Sequence, residues 1–168
     1  ANSGSHGLAT VTGPGSQWNL FQQGKLTELI IGGYGHGTLQ VAAGGVVSSG
    51  SSSIGLGNAE SESGTTQSVG VATITGHGSQ WNIARDLVVG HRFRGSGTLN
   101  VTEGGLVTSS DSTVGSDNGA EGVVTITGKG SHWNMSGNLV VGRTGHGTLN
   151  VLDDGLVSVH GTTEIGAG

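Results

Sequence analysis

Short runs of alternating apolar and polar residues recur along the whole chain, and glycine-rich turns separate them. In residues 98–115 the apolar positions fall into three pieces, Leu99-Asn100-Val101, Leu106-Val107-Thr108 and Thr113-Val114. Period-two alternation with β-branched residues is typical of strands, and the repeat lacks the apolar period of an amphipathic helix. The pattern predicts an all-β chain built from very short strands.

Six segments share this three-strand pattern, and each opens on a threonine and closes on an apolar residue followed by glycine. They are residues 10–32, 38–55, 73–90, 98–115, 125–142 and 148–166. Because strands this short need partners outside their own segment, we expect each to pair in parallel with the equivalent strand of the next segment. The sequence therefore predicts a parallel β-helix, or β-solenoid, of about six coils. With ~4.8 Å between paired strands, the rod would be on the order of 30 Å tall.

Two phrases indicate that the coils occur in pairs. Gly-Ser-x-Trp-Asn contains all the tryptophans, in Trp18-Asn19, Trp81-Asn82 and Trp133-Asn134, and Gly-Thr-Leu-[Gln/Asn]-Val begins at Gly37, Gly97 and Gly147. Both recur at roughly 50 to 60 residues, which indicates a repeat architecture. We predict three two-coil repeats, approximately 9–68, 69–122 and 123–168, within a single solenoid spanning 1–168. The alignment of the last two coils stays open, since Trp133 can be matched with Leu156 or with Ser158.

The stretches between the segments vary in length while the segments keep theirs. They are residues 33–37, 56–72, 91–97, 116–124 and 143–147, and the first unit also carries an insertion at 21–27. Solenoids accommodate such variation as loops at one corner of the coil. Neither end of the chain reads as a polar cap or an amphipathic helix, so we expect this chain to be a section of a longer rod.

Composition narrows the classes of function. There are 36 glycines, 10% of residues are charged, the net charge is −5 and there is no cysteine. Because no basic cluster is present, the chain has no means to neutralise phosphates, and we expect no nucleic-acid partner. No apolar run approaches the ~18 residues of a membrane span, so we expect no membrane insertion by this segment.

The repeated phrases resemble a recognised repeat. Val-Thr-Ile-Thr-Gly-x-Gly-Ser-x-Trp-Asn, Leu-Val-Val-Gly and Gly-x-Gly-Thr-Leu-Asn-Val are similar to the repeat of autotransporter (type V secretion) passenger domains and of some exosortase-sorted proteins. The resemblance covers about residues 9–166. It implies a right-handed parallel β-helix displayed outside the cell, at the outer membrane surface of a Gram-negative bacterium. It also implies a role in adhesion, self-association or biofilm formation, and it contributes no catalytic residues. We expect no cofactor and no metal.

Two features are candidates for partner contact. Variable loops carry exposed polar residues, namely Asn58, Glu60, Glu62, Thr65, Asp117, Asn118 and Glu121. Ladders of Ser, Thr and Asn along the rod would hydrogen-bond identical rods, or cell-surface glycans or proteins, through many weak contacts that add up by avidity.

The Trp-Asn phrase admits two interpretations. Trp18, Trp81 and Trp133 could form a sugar-stacking row on the surface, ~9.6 Å apart on every second coil. The alternative, which we favour, is that each ring fills a wide corner beside a Gly-Ser turn. Asn19, Asn82 and Asn134 are then expected at the same corner, bonded to the backbone as asparagines in turns are.

Alternatives to an adhesin remain open. Glu103, Asp153 and Asp154 precede the Gly-Leu-Val strands, and paired carboxylates near strands are a feature of polysaccharide-degrading enzymes such as tailspike-like depolymerases. We expect a solvated corner with a weak salt bridge instead, and no enzyme. His36, His77 and His146 occupy Gly-His-Gly stretches, which we interpret as exposed corners rather than a metal site. A passive structural stalk is the third possibility.

Overall fold

The chain winds through six coils of a β-solenoid in the computed structural model, which describes residues 4–22, 24–57 and 67–168. Each coil contributes one strand to each of three six-stranded parallel sheets, so every sheet runs the length of the rod. The prediction of an all-β parallel solenoid with about six coils is confirmed. The described residues include no helix that could cross a membrane.

Sheet 1 is the widest of the three, with strands of seven or eight residues. In coil order its strands are β1 (His6–Thr12), β6 (His36–Ala42), β9 (Ser68–Thr75), β12 (Gly95–Thr102), β15 (Glu121–Thr127) and β18 (His146–Leu152). Each strand begins upstream of the threonine that opens the predicted segment, so all five predicted loops are shorter than expected. The reason is that Gly37, Gly70, Gly97 and their equivalents continue the ladder through backbone pairing without an apolar side chain.

Sheet 2 carries the Trp-Asn phrase. Its strands are β2 (Gln17–Asn19), β7 (Val46–Ser49), β10 (Gln80–Ile83), β13 (Leu106–Ser109), β16 (His132–Met135) and β19 (Leu156–Val159). Trp133 pairs with Val157, so both sequence-based alignments, with Leu156 and with Ser158, are wrong by one residue. A one-residue slip moves every side chain to the opposite face, and only the observed register places Trp133 and Val157 together on the inward face.

Sheet 3 closes each coil. Its strands are β5 (Leu29–Gly33), β8 (Ser52–Leu56), β11 (Leu87–His91), β14 (Ser112–Val114), β17 (Leu139–Val141) and β20 (Thr163–Ile165). In coil 1 the predicted insertion forms a small antiparallel pair, β3 (Phe21–Gln22) with β4 (Lys25–Leu26), between sheets 2 and 3.

The core is a continuous apolar column enclosed by the three sheets. Alternate residues point inward, so Leu39, Val41, Ile74, Val101 and their neighbours stack coil on coil with almost no exposed surface. Burying a side chain of this kind contributes roughly 1.5–3 kcal/mol, so the stacked column is the main favourable term holding the coils together.

Corner 1, between sheets 1 and 2, explains the Gly-Ser part of the repeated phrase. The Ser79 hydroxyl is fully buried, donates to the Thr75 carbonyl at 2.7 Å and accepts from the Gly44 amide of the preceding coil at 3.1 Å. Ser131 accepts in the same way from Gly104, at 3.0 Å. Each serine therefore joins one coil to the coil before it.

Corner 3, where sheet 3 returns to sheet 1, is formed by backbone in close contact. Gly55 has a φ of +70°, and a Cβ placed on it would lie 2.1 Å from the Ser96 carbonyl oxygen. A Cβ on Gly97 would lie 2.3 Å from the Ile54 carbonyl oxygen. Only glycine fits where two backbones approach this closely, which accounts for the glycine column at this corner.

Candidate functional site

The tryptophans lie inside the solenoid. Trp81 and Trp133 are fully buried on β10 and β16, whereas Trp18 in the first coil is 36% exposed. The Trp81 indole N–H donates to Ser49 Oγ at 3.1 Å, and Ser49 and Ser52 are themselves bonded at 2.9 Å. The same arrangement recurs two coils later, where Trp133 donates to Ser109 at 3.2 Å.

These contacts decide between the two interpretations of the phrase. The surface sugar-stacking row is wrong for Trp81 and Trp133, because neither ring reaches solvent. The structural interpretation is right in kind but wrong in place, since the rings fill the core behind sheet 2 rather than a corner. Side chains alternate between the two faces of a strand, so Trp81 points inward while its neighbours Gln80 and Asn82 point outward.

The asparagines of the phrase face outward from the middle of sheet 2. They are strand residues, so the expected corner position is wrong, again because they alternate with an inward tryptophan. The strand register aligns them with hydroxyl residues of the neighbouring coils in one column along the rod: Asn19, Ser48, Asn82, Thr108, Asn134 and Ser158. We call this the polar column of sheet 2. Thr108 donates to Asn82 Oδ1 within it, at 3.3 Å.

Sheet 1 presents a wider outward face of the same chemistry. Its central column is Thr10, Gln40, Thr73, Asn100, Thr125 and Asn150. Hydroxyl and carboxamide residues thus alternate from coil to coil, as in sheet 2 but in the opposite phase. On one side lies a column of alternating apolar residues and threonine, and on the other a column rich in threonine. We call these three columns together the sheet 1 face.

Charge is confined to the edges of these surfaces. The described strands of sheet 2 contain no Asp, Glu, Lys or Arg, and those of sheet 1 contain only Glu121, at the start of β15. Lys129, Glu103 and Asp153 lie at corner 1 instead. Glu103 and Asp153 accept hydrogen bonds from the hydroxyls of Thr75 and Thr127 of the preceding coil, at 3.2 and 3.1 Å.

The loop residues predicted as partner contacts divide into two groups. Asn58, Glu60, Glu62 and Thr65 lie outside the described residues. Asp117, Asn118 and Glu121 are exposed at corner 3, at the surface as expected. The Asp117 carboxylate also has a structural role, since it accepts from the Arg92 amide at 2.8 Å and from the Ser116 hydroxyl.

A polar cluster that the sequence did not single out lies at the same corner. The Ser53 hydroxyl is 3.2 Å from His91 Nδ1 and also reaches Glu28 Oε1 at 3.5 Å. Burial lowers the pKa of His91, and Arg92 acts in the same direction, against the opposing charges of Asp117 and Glu28. A correct alignment of β8 with β11 would have indicated this cluster, because it pairs His91 with Leu56 and so brings the histidine close to Ser53 on the neighbouring strand.

Asp117 responds to the same surroundings. Burial by itself would raise the pKa of its carboxyl group, but the hydrogen bonds from Ser116 and Arg92 and the charges of His91 and Arg143 outweigh it and lower the pKa. Ser53 is hydrogen-bonded to His91, whereas Asp117 acts on His91 through its charge. Ser53 is only 3% exposed. With Glu28, the cluster joins coils 1 to 4.

The histidines of the Gly-His-Gly stretches lie on the surface. His36 stacks on His6 of coil 1 with ring centroids 4.6 Å apart. Among the residues that the structure describes, no three His, Asp or Glu side chains come together in a way that could hold a metal ion.

Fold and surface together define a β-solenoid in which two of the three side faces, those of sheets 1 and 2, bear hydroxyl and carboxamide groups and almost no charge. Among curated proteins, the chain is similar to the uncharacterized lipoprotein YdeK of Escherichia coli (strain K12), with 30% identity over 162 residues. That match covers 92% of this chain but 11% of the relative, so the chain spans about a tenth of the relative's length. No protein-family model matches the chain. No solved structure matches it either.

Proposed function

We propose that this chain is a section of a bacterial cell-surface adhesin whose rod associates with identical rods through its side faces. The location is proposed from the similarity to a protein named as a lipoprotein, a class held at membranes by a lipid anchor. We further propose that the rod is displayed at the outer membrane of a Gram-negative cell and acts in adhesion and biofilm formation. This part of the proposal rests on the resemblance to autotransporter passenger domains.

The observation that carries the proposal is the alternation along the central column of sheet 1. Two rods can pack face to face about a two-fold axis that runs parallel to the strands and midway between coils 3 and 4. The rods are then antiparallel, and coil 1 faces coil 6, coil 2 faces coil 5, and coil 3 faces coil 4. Because odd coils carry Thr and even coils carry Gln or Asn, every hydroxyl faces a carboxamide.

Such an interface is self-complementary, as a two-fold contact must be. Thr10 faces Asn150 of the second copy, Gln40 faces Thr125, and Thr73 faces Asn100. In the flanking column Val71 faces Thr98, so methyl groups meet across the interface. The sheet 1 face covers on the order of 600 Å², somewhat less than the ~800 Å² per partner of a standard stable complex. One section therefore associates weakly, and a longer rod of the same kind gains strength by avidity.

The test is analytical ultracentrifugation of the whole chain with a charged variant and a matched control. Asn100→Lys places two lysines beside the proposed two-fold axis, and like charges at an interface cost several kcal/mol. We expect dimerisation at least ~10-fold weaker, which corresponds to ~1.4 kcal/mol. His77→Lys adds the same charge at exposed corner 1, where the equivalent residue is Lys129, and should leave dimerisation unchanged.

Salt provides a second measurement. Because the sheet 1 face bears no charge apart from Glu121 at its margin, dimerisation should change little between low salt and roughly 0.5 M salt, whereas contacts through charged loops would be screened. A chain that stays monomeric at millimolar concentration would refute self-association and leave a passive stalk. Equal weakening by Asn100→Lys and His77→Lys would place the interface elsewhere.

A further inference from the structure

The polar column of sheet 2 borders an open groove that runs along the rod. The groove has a volume of about 340 Å³ and extends over coils 3 to 6. Thr108 and Asn134 of the polar column line one side, and the corner residues Ala84, Ser110, Ser136 and His160 line the other. Since the groove crosses four coils, its long axis is ~14 Å, three inter-coil steps.

The groove offers both donors and acceptors of hydrogen bonds, and its lining contains no Asp, Glu, Lys or Arg. His160 Nδ1 lies 2.8 Å from the Met135 carbonyl, which can only accept, so Nδ1 carries a proton and donates it there. Thr108 donates to Asn82, so its oxygen remains free to accept. In the part of the chain that the structure describes, the Asn134 side chain has no hydrogen-bond partner, so its carboxamide can both donate and accept.

The polar column beside the groove has a two-coil period. Its odd coils carry a carboxamide, as Asn82 and Asn134, and its even coils carry a hydroxyl, as Thr108 and Ser158. We call the carboxamide positions the polar rungs, and they recur every ~9.6 Å along the rod.

We propose that this groove binds an extended, neutral β-1,4-linked glycan lying parallel to the rod axis. In such a chain each sugar advances by about one inter-coil step, and successive sugars are turned over, so equivalent edges recur every second residue. That matches the two-coil period of the rungs. Sugar hydroxyls both donate and accept, as the lining requires, and the absence of Asp, Glu, Lys and Arg from the lining favours a neutral polymer over an acidic one.

This site is independent of the association proposed for sheet 1, because it lies on another sheet and uses other residues. The test is isothermal titration calorimetry of the full chain with cellohexaose as the probe. We expect saturable binding, and at least ~10-fold weaker binding of cellobiose, which is too short to span two polar rungs.

Substitutions locate the site. Asn134→Ala should weaken cellohexaose binding at least ~10-fold, and its thermal unfolding should match that of the original chain because Asn134 is a partly exposed strand residue. Gln22→Ala removes a carboxamide from the exposed insertion of coil 1, outside the groove and outside sheet 1, and should leave binding unchanged. Maltohexaose has the same sugars in a curved chain and should not bind.

Three results would overturn the proposal: no binding of cellohexaose at millimolar concentration, equal binding of maltohexaose, or unchanged affinity in Asn134→Ala. None of them bears on dimerisation, which sedimentation measures separately.

Discussion

At the scale of single residues, the repeated Gly-Ser-x-Trp-Asn phrase is a set of four separate structural roles. Glycine adopts positive φ, as Gly78 does at +82°. Serine joins two coils at corner 1, tryptophan fills the core and bonds a serine of the preceding coil, and asparagine faces out on sheet 2. The phrase occurs in coils 1, 3 and 5, whereas coils 2, 4 and 6 have Gly-Val or Gly-Leu at the start of the sheet 2 strand.

The buried Trp–Ser contact leads to a stability prediction. Ser109→Ala leaves the fully buried Trp133 indole N–H without its acceptor and removes the partner of Ser112. An unsatisfied buried donor costs ~1–3 kcal/mol, and we expect the free energy of unfolding to fall by about that amount. Urea denaturation measures it. Ser110→Ala changes the next residue, which is partly exposed, and should cost less than ~0.5 kcal/mol; equal losses in both variants would contradict the assigned role.

At corner 1 of the last coil we predict a substitution that raises the free energy of unfolding. Asp154 has a φ of +63° at the position where coils 2 and 4 have Gly44 and Gly104. Because glycine adopts this conformation without steric cost, Asp154→Gly should raise the free energy of unfolding by about 0.5 kcal/mol. Asp153→Gly also relieves a positive φ, of +46°, but loses the hydrogen bond from Thr127, so it should stabilise less. Thermal melts of both variants test the order, and a loss of stability in Asp154→Gly would show that the aspartate makes a favourable contact there.

At the scale of elements, each strand depends on its neighbours above and below rather than on those in its own coil. Each corner has its own means of joining coils. Corner 1 uses serine hydroxyls, and corner 3 uses close glycine backbones. At corner 2, Asp111 accepts from the Asn138 amide at 2.6 Å, and Asn138 Oδ1 in turn accepts from the Thr162 amide at 2.8 Å. Stability is therefore distributed along the rod between neighbouring coils.

His91, at the end of β11, makes the free energy of unfolding depend on pH. The pKa of His91 is lowered from 6.5 in the folded chain, so the unfolded chain takes up the proton first as pH falls. The stabilisation is therefore fully present above pH 6.5 and is lost as pH falls through the lower, folded pKa. We expect the urea midpoint to decrease with acidification in this window, and His91→Gln to remove that dependence. Asp117, whose pKa is lowered from 3.8, acts in a separate and more acidic window. Because its charge opposes the lowering of the His91 pKa, Asp117→Asn should lower the folded pKa of His91 further and deepen the first window. A pH profile that is identical in His91→Gln and the original chain would contradict this assignment.

At the scale of the whole molecule, the strands of sheets 1 and 2 are neutral apart from Glu121, and sheet 3 carries Glu164 on β20. The other charged side chains of the described residues lie at or near the corners. This separation follows from the coil geometry, because loops and turns collect at three edges while outward strand positions form columns. Identical coils would produce uniform columns, but the two-coil repeat makes hydroxyl and carboxamide groups alternate. That alternation underlies both the antiparallel pairing proposed for sheet 1 and the glycan site proposed for sheet 2.

Much of this architecture was predictable from the sequence. The three strands of each coil, the six coils and the insertion in coil 1 follow from the repeated alternation, because parallel in-register stacking converts a repeat in sequence into a repeat in space. Where the prediction was wrong at the loops preceding sheet 1, the error came from glycines. A glycine carries no hydrophobic signal, so Gly37 and Gly97 read as loop although their backbones continue the strand.

The sequence by itself determined the solenoid and its two-coil period, since strand alternation and the spacing of the phrases require nothing beyond local pattern. Only the tertiary structure decided which face each residue occupies. The inward position of Trp81 and Trp133 and the outward position of Asn82 and Asn134 depend on the register between coils, and a register is a relation between residues more than 20 positions apart. The same register assembles the groove beside Asn134, because its lining residues come from four successive coils and are far apart in the sequence.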